Sequence, residues 1–350
     1  MTKVYKFGGA SVKDANAVKN VGNIIQLYHG NLVVVISAMG KTTNGLEKVV
    51  EAYFNHDEKC VAYLEDVKKY HLDILNDLFE NKQHPVFTDI HNTFIEIEWE
   101  IEAEPTREYD YVYDQIVSVG ELLSTKIVSA YLNEVSIKNT WIDVRAIIQT
   151  DNTYRNAKID WTLTEQLVQK NIQPLFDKKE QTVIITQGFI GSSSELFTTT
   201  LGREGSDFTA GILAYCINSE SVVIWKDVPG MLNADPKWFD DTKKIDNISY
   251  HEAVELAYYG ASVIHPKTIK PLHNKNIPLY IKSFISPIEE GTLINNNTIK
   301  DESFPSFIFK MNQVLISIAA KDYSFIVEDN LSQIFGVFAN LGITINLMQN

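Results

Sequence analysis

Five glycine-rich stretches stand out because each follows an apolar run and carries small or charged residues. They are KFGGASV (6–12), SAMGKTTN (37–44), TQGFIG (186–191), TLGREGSDFTA (200–210) and KDVPGMLNADP (226–236). Glycines let a phosphate approach backbone N–H groups, and the helix starts expected after Ser11 and Ser206 would add amide dipoles. Each stretch alone is equally compatible with a strand-to-helix turn. Their charged members include Lys6, Arg203, Asp207 and Asp227. The combination predicts a site for phosphoryl transfer.

The common nucleotide-binding motifs do not account for these stretches. MGKTT (39–43) resembles the end of a P-loop, but the glycine required five residues before Gly40 is replaced by Val35. The GxGxxG fingerprint of dinucleotide-binding proteins does not occur either. The sequence therefore predicts phosphate binding without a P-loop.

The elements that must position these loops alternate between strand and helix. Strand-like runs occur at 4–7, 32–37, 182–186, 221–225 and 278–281. They show almost no polar alternation, which is typical of strands that are buried on both faces. We therefore expect an α/β fold, a three-layer sandwich around a mostly parallel sheet. In such a sheet the carboxyl ends of the strands share one edge, where ligands bind.

Two segments depart from this alternation. Residues 50–135 are mostly helical by pattern and rich in acids, and we interpret them as an insertion over one edge of the sheet that could serve as a lid. A polar, asparagine-rich linker at 294–306 precedes a further pattern over 307–350. There, 313–318 and 343–348 are predicted strands, and a helix between them should end at Gly342. A strand–helix–strand unit is a poor independent domain.

Composition excludes several classes of protein. The chain has 350 residues, 45% hydrophobic and 22% charged, with a formal net charge of −14. This charge argues against nucleic-acid binding, which requires a basic face. Cys60 and Cys216 are far apart and lack metal-ligand spacing, so no disulfide framework or protein metal site is expected. No signal region or membrane-length apolar run occurs, and we expect a cytoplasmic protein.

The motifs, taken in order, resemble the aspartate kinases of the amino-acid kinase family. The resemblance covers roughly residues 3 to 295. It rests on the motifs KFGGASV (6–12), SAMGKTTN (37–44), SVGELLS (118–124), TLGREGSDFTA (200–210), DVPGMLNADP (227–236) and GASVIHPKT (260–268). It implies a catalytic domain over 1–300. It also implies that 307–350 is an incomplete ACT regulatory domain of ferredoxin-like α+β type, so the chain would be truncated within that region.

The resemblance implies transfer of the ATP γ-phosphoryl group to the side-chain carboxylate of L-aspartate. The products would be 4-phospho-L-aspartate and ADP, in the first step of lysine, threonine and methionine biosynthesis. A carboxylate, with a pKa of roughly 4, is already ionised at neutral pH, so no catalytic base is required. Cations, amides and Mg²⁺ must instead overcome the repulsion between two anions. ATP and Mg²⁺ are the implied cofactors, and a homodimer or higher homo-oligomer is the implied assembly.

The same resemblance assigns roles to individual residues. Lys6 would lie against the transferred phosphoryl group, and Asp207 would organise the cations and the hydration shell of Mg²⁺. Arg203 would bind the α-carboxylate of aspartate, Glu121 its ammonium group and Thr43 its side-chain carboxylate. The rest of the substrate pocket would comprise Ser37, Ala38, Phe189 and Ser206. Alternatively, Glu121 is a solvated helix residue and Thr43 a helix cap, and Asp207 could cap a helix as well as bind.

The nucleotide contacts are the part in which this chain departs from the family pattern. The implied residues are Gly8, Gly9, Ser11, Lys226, Asp227, Gly230, Leu232, Lys237 and Ser262. Lys226 replaces a frequent threonine, Ser262 a lysine, Leu232 a tyrosine and Glu204 a glycine. We hypothesise that Lys226 supplies the charge lost at position 262. His265, before Pro266, is interpreted as a structural histidine at a helix start.

Two other interpretations remain open at this point. One is another kinase of the same family, acting on acetylglutamate, glutamate, carbamate or UMP. The other is a non-catalytic amino-acid sensor that retains the fold, although a sensor would have no need for Lys6. The feedback effector, whether lysine, threonine or neither, does not follow from the sequence.

Overall fold

A computed structural model of the chain describes all residues except 178–180, 260–263, 300, 302–304, 309–312, 321–324, 342, 344, 346 and 350. The strands are β1 (Thr2–Phe7), β2 (Asn31–Ile36), β3 (Thr140–Ile142), β4 (Gln149–Thr150), β5 (Val183–Gln187), β6 (Ile190–Ser193), β7 (Thr198–Thr200), β8 (Ser221–Lys226), β9 (Asn247–Ser249), β10 (Leu279–Ser283) and β11 (Thr292–Asn295). The helices are α1 (Ala15–Gln26), α2 (Thr42–Phe54), α3 (Cys60–Leu78), α4 (Pro85–Glu102), α5 (Tyr109–Val117), α6 (Val119–Glu134), α7 (Trp161–Asn171), α8 (Gln173–Phe176), α9 (Gly205–Ile217), α10 (Tyr250–Tyr259), α11 (Pro266–Asn274) and α12 (Glu328–Asn340).

The central sheet brings the predicted loops to one edge. Its order in the described part of the chain is β3-β5-β2-β1-β8-β10-β11-β9, and only the β10–β11 pair is antiparallel. In this register Lys6 of β1 lies between Val35 of β2 and Ile224 of β8. The loops that follow β1, β2, β5 and β8 therefore leave the sheet together. A smaller sheet has the order β4-β6-β7, in which β4 precedes β5 in the chain and β6 and β7 lie between β5 and α9.

Both faces of the central sheet are buried, which explains the unbroken apolar runs. In β2, Leu32, Val34 and Ile36 belong to one core, and Val33 and Val35 belong to the other. The first core includes residues from α1 to α6, and the second includes residues of α7, α9, α10 and α11. The predicted three-layer α/β sandwich is thus confirmed.

The segment 50–135 is mostly helical, as predicted, and its helix α6 packs against the end of the central sheet at which β3 is the edge strand. Helix α6 contacts β2, β3 and β5, and the core around α1 continues through α2 to α6. These helices form one outer layer because their apolar faces share a core with the sheet. The role of this segment as a lid stays a prediction. Within the described residues, no helix is both long and apolar enough to cross a bilayer.

The C-terminal pattern is only partly reproduced. The predicted helix is present as α12, whereas the residues of 313–320 have no regular secondary structure. Val314 and Leu315 are 84% and 96% exposed, so no core stabilises a strand there. Gly342 lies outside the described residues, and the described positions of 343–348 are not in a strand. Apolar runs form strands only when neighbours pair with them, and the described residues supply none here.

Candidate active site

A buried ion pair lies at the carboxyl edge of the sheet. Lys6, near the end of β1, places its Nζ 2.6 Å from Oδ1 of Asp207 in the first turn of α9. The two side chains are only 10% and 3% exposed. Burial alone would raise the pKa of Asp207, but the ammonium groups of Lys6 and Lys226 outweigh it and lower that pKa. The carboxylate is therefore charged at neutral pH and holds Lys6 in the cleft.

A second cation and a second carboxylate adjoin this pair. The Nζ of Lys226 is 3.5 Å from Oδ2 of Asp207. Glu204 precedes α9 in the left-handed region, with φ +54°, an arrangement that costs energy for a residue with a side chain. Its Oε2 is buried without a hydrogen-bond partner in the part of the chain that the structure describes. Burial raises the pKa of Glu204, although Lys226 opposes the shift.

Gly9 allows the first two glycine-rich loops to pack together. A Cβ atom at Gly9 would lie 2.8 Å from the carbonyl oxygens of both Ala38 and Gly40. The N–H of Gly40 donates a 3.0 Å hydrogen bond to the Gly9 carbonyl. Only a residue without a side chain permits this approach.

Replacing Gly9 with alanine is therefore expected to lower the free energy of unfolding by about 1–3 kcal/mol, because rigid backbone blocks the new methyl group. Urea unfolding followed by circular dichroism would measure the loss. Gly8→Ala is a matched control, since a Cβ at Gly8 would meet only the Nζ of Lys6, at 3.4 Å, and its φ of −79° suits alanine. Equal stability of the two variants would contradict this explanation.

A helix begins after Ser11, as expected, but not directly after it. Residues Gly9–Val12 form a 3-10 turn, and α1 begins only at Ala15. The side chain of Asp14 accepts a hydrogen bond from the Ala17 N–H and caps α1 instead. Ser11 itself is buried within the turn. The first turn of α9, which contains Ser206, does face the cleft as expected.

Glu121, in the first turn of α6, is almost completely buried, with 3% of its surface exposed. Burial raises the pKa of its carboxyl to about 8, although a backbone hydrogen bond from Ala38 and the charge of Lys6 oppose the shift. Within the described residues, its Oε2 has no hydrogen-bond partner. The interpretation as a solvated helix residue is therefore wrong. A buried carboxyl group that lines a cavity and has one oxygen without a partner is suited to bind a cationic ligand group.

These residues line a cavity of about 440 Å³. The predicted residues that it brings together are Lys6, Ser37, Thr43, Glu121, Phe189, Arg203, Ser206, Asp207 and Lys226. Ala38 is buried behind this wall and reaches the site through its hydrogen bond to Glu121. Thr43 is not the cap of α2, because Lys41 occupies that position. Arg203 is exposed, so its guanidinium is accessible to a ligand.

Sequence reasoning missed Tyr113, Arg155 and Thr200, which also line the cavity. The guanidinium of Arg155 lies 4.5 Å from the ring centre of Tyr113. The buried carboxyl of Asp114 accepts hydrogen bonds from the Arg155 N–H at 3.0 Å and the Thr200 N–H at 2.8 Å. Asp114 therefore holds three distant segments together. Isolated positions of this kind carry no spacing signal in a single sequence.

The implied nucleotide residues lie mostly outside this cavity. Asp227 and Lys237 are exposed on the loop after β8, and Leu232 forms an isolated bridge with Lys244. Gly230 adopts a φ of +153°, and a Cβ there would lie 2.5 Å from the Thr292 hydroxyl. Ser262 lies outside the described residues.

His265 has the structural position that was expected. Its Nδ1 accepts a 3.1 Å hydrogen bond from the N–H of Lys267 and caps α11, with Pro266 as the first helical residue. Burial, followed by the charges of Lys267 and Arg203, lowers its pKa. The imidazole is therefore neutral at pH 7, as its acceptor role requires.

Comparison with known proteins agrees with this geometry. The sequence profile of the amino acid kinase family matches residues 1–283. Lysine-sensitive aspartokinase 3 of Escherichia coli is 32% identical over 99% of this chain and 75% of its own length. Aspartokinase 2, chloroplastic, of Arabidopsis thaliana is 31% identical over 99% of this chain, which spans 64% of that relative.

Solved structures give the same result. The crystal structure of E. coli aspartokinase III in complex with aspartate and ADP (R-state) matches with a TM-score of 0.85 and 29% identity, covering 100% of this chain and 76% of that one. The complex of the same enzyme with lysine and aspartate (T-state) gives a TM-score of 0.82, covering 100% of this chain and 77% of that one. The chain therefore belongs to the amino acid kinase family and, within it, to the aspartokinases.

Proposed function

We propose that this cleft transfers the γ-phosphoryl group of ATP to the side-chain carboxylate of L-aspartate, giving 4-phospho-L-aspartate and ADP. The observation that carries the proposal is the buried Lys6–Asp207 pair, in the same cavity as Arg203 and Glu121. The chain is an ATP-dependent phosphotransferase with a carboxyl group as acceptor, as its aspartokinase relatives are. The aspartate and ADP named for the E. coli complex are the ligands that we place here.

The aspartate subsite would recognise each charged group of the substrate separately. Arg203 would hold the α-carboxylate by a bidentate contact. Glu121 would accept hydrogen bonds from the ammonium group, which compensates the cost of ionising a buried carboxyl. Thr43 would donate to the side-chain carboxylate, with Ser37, Ala38, Phe189 and Ser206 shaping the remaining wall. Acetylglutamate lacks the ammonium group, so the partnerless Oε2 of Glu121 favours a free amino acid.

The phosphate subsite would combine the cations with backbone amides. Lys6 would stabilise the negative charge on the transferred phosphoryl group, and Lys226 the phosphates behind it. The amides of Gly8 and Gly9 would hold the nucleotide together with Ser11, Ser262 and the loop after β8 that carries Asp227, Gly230, Leu232 and Lys237. The carboxylates of Asp207 and Glu204 suit a hard cation, so they would hold Mg²⁺ or its water shell. Bound Mg²⁺ neutralises phosphate charge.

A substrate panel tests the proposed reaction. ADP release would be measured with aspartate, N-acetylglutamate, glutamate, carbamate and UMP as acceptors, with and without lysine and threonine. Of these five acceptors, we expect only aspartate to be phosphorylated. Aspartate binding without turnover would instead identify a sensor, and turnover with another acceptor would identify a different kinase of the family.

Lys226→Ala is expected to raise the KM for ATP about 10-fold and to leave the KM for aspartate unchanged. The reason is that Lys226 lies beside Asp207, at the phosphate end of the cavity. A charge-assisted hydrogen bond of about 1.5–3 kcal/mol accounts for a change of this size. Steady-state kinetics with each substrate varied would measure it, and Lys243→Ala, an exposed lysine further along the same loop, is the control that should leave both KM values unchanged. An unchanged KM for ATP would reject the hypothesis that Lys226 supplies the missing charge.

We further propose a cytoplasmic homodimer or higher homo-oligomer in which 307–350 contributes an ACT-type contact. In support, Val337 and Leu341, four residues apart at the C-terminal end of α12, are 57% and 67% exposed, which leaves apolar side chains on one face uncovered. The net charge of −14 argues against a nucleic-acid partner.

A further inference from the structure

A second cavity lies on the other side of α9 from the catalytic cleft. Its volume is about 570 Å³, within the range of roughly 300–1,000 Å³ usual for small-molecule sites. Phe208 lines this cavity, whereas the preceding residue, Asp207, lines the catalytic one. Among the described residues, none lines both. The second cavity is therefore a separate site, and the proposed reaction does not use it.

An aromatic wall forms one side of the second cavity. The ring of Trp161, on α7, contacts Tyr215 and Phe208 of α9 edge-on, with ring centres 5.3 Å and 6.3 Å apart. Trp161 is 38% exposed, so part of the indole is open to a ligand. Such a surface stacks well against a planar ring.

The polar side of the same cavity is positively charged. Lys158, Lys267 and Lys270 line it, and the described lining residues include no acid. This is unusual in a chain with a formal net charge of −14. Ammonium groups beside an aromatic wall fit a ligand that carries both a ring and an anionic group.

We infer that this second cavity binds a small planar aromatic anion, in which the ring packs on Trp161 and the anionic group lies between Lys267 and Lys270. Two classes of compound share this chemistry: nucleoside monophosphates and aromatic carboxylates. The lysines would attract either one, and the ring would provide most of the buried contact.

The cavity is linked to the catalytic cleft through one side chain. Nζ of Lys267 donates a 2.6 Å hydrogen bond to Oδ1 of Asn156. Asn156 adjoins Gly202, where a Cβ would lie 2.9 Å from the same oxygen, and Gly202 precedes Arg203. An anion that draws Lys267 away would release this contact. We therefore expect occupancy of the cavity to raise the KM for aspartate.

The test uses CMP and phenylpyruvate as probes. The catalytic cleft is first filled with aspartate, Mg²⁺ and ADP, with ADP at the lowest concentration that saturates the cleft. Binding would be followed by isothermal titration calorimetry and by quenching of tryptophan fluorescence, assigned to Trp161 with Trp161→Phe. We expect one saturable site for at least one probe, and the probe that binds identifies the class. Failure of both to saturate at millimolar concentration would overturn the inference.

Lysine variants locate the site. Lys267→Ala/Lys270→Ala should weaken binding at least 10-fold, and Lys270→Ala alone, which leaves the Lys267–Asn156 bond intact, at least 3-fold. Lys170→Ala, at an exposed position on α7 outside the cavity, is the matched control and should have no effect. Equal affinity in all three variants would refute the site. An unchanged KM for aspartate with a bound probe would refute the link to Arg203.

Discussion

Replacing Lys6 with methionine is expected to lower kcat about a thousandfold while leaving binding of ADP and aspartate measurable. The ammonium group is the most deeply buried cation of the cleft, and removing one preorganised charge from such a site typically costs about 10²–10³ in rate. Methionine preserves most of the side-chain volume and can occupy the same position in β1. Single-turnover measurement of ADP formation would isolate the chemical step.

Two controls separate chemistry from folding. Lys6→Met leaves the buried Asp207 with only the more distant Lys226, so part of any loss could come from instability. The double variant Lys6→Met/Asp207→Asn removes both charges and should recover thermal stability without recovering kcat. Lys3→Ala removes an ammonium group from the same strand that pairs with Glu220 outside the cleft, and should be fully active. A Lys6→Met enzyme with wild-type kcat would refute the role of Lys6.

The fold and the centre of the site could be predicted because they depend on local signals. Unbroken apolar runs indicated strands buried on both faces, and the loops after such strands meet at one edge. Lys6, Arg203 and Asp207 were found for this reason, since each lies within two residues of a glycine in one of those loops. Strand register then brings Lys6 and Asp207 within contact distance.

The rest depends on contacts that a single sequence does not encode locally. Arg155 is placed by Asp114, a residue 41 positions away, and neither residue belongs to one of the motifs. The helices of 50–135 were recognised, but helical periodicity identifies an apolar face without naming the partner that covers it. The residues of 313–318 have the composition of a strand and lack a neighbour to pair with among the described residues.

Glu121→Gln is expected to raise the KM for aspartate by about 10- to 100-fold, because it removes one charge-assisted hydrogen bond of about 1.5–3 kcal/mol. The pKa of Glu121 is raised from 4.5 to about 8, so in the unliganded enzyme at pH 7 the carboxyl is mostly neutral. Binding the substrate ammonium requires the carboxylate. The KM for aspartate should therefore fall as pH rises from 6 to 8 in the wild type, and this dependence should disappear in Glu121→Gln.

Stability should change in the opposite direction in the unliganded protein. Because the folded-state pKa of Glu121 lies above its unfolded value, the proton stabilises the fold, and this contribution is lost as pH rises from about 4.5 through about 8. Glutamine stays neutral, so the Tm of Glu121→Gln should exceed that of the wild type at pH 8.5 and approach it at pH 5. Glu134→Gln, at the exposed end of the same helix, should change neither KM nor Tm. A group that serves only to bind substrate should lower the stability of the unliganded enzyme. If Glu121→Gln instead had a higher KM for aspartate and a lower Tm than the wild type at pH 8.5, Glu121 would be a structural residue whose loss disturbs the cleft.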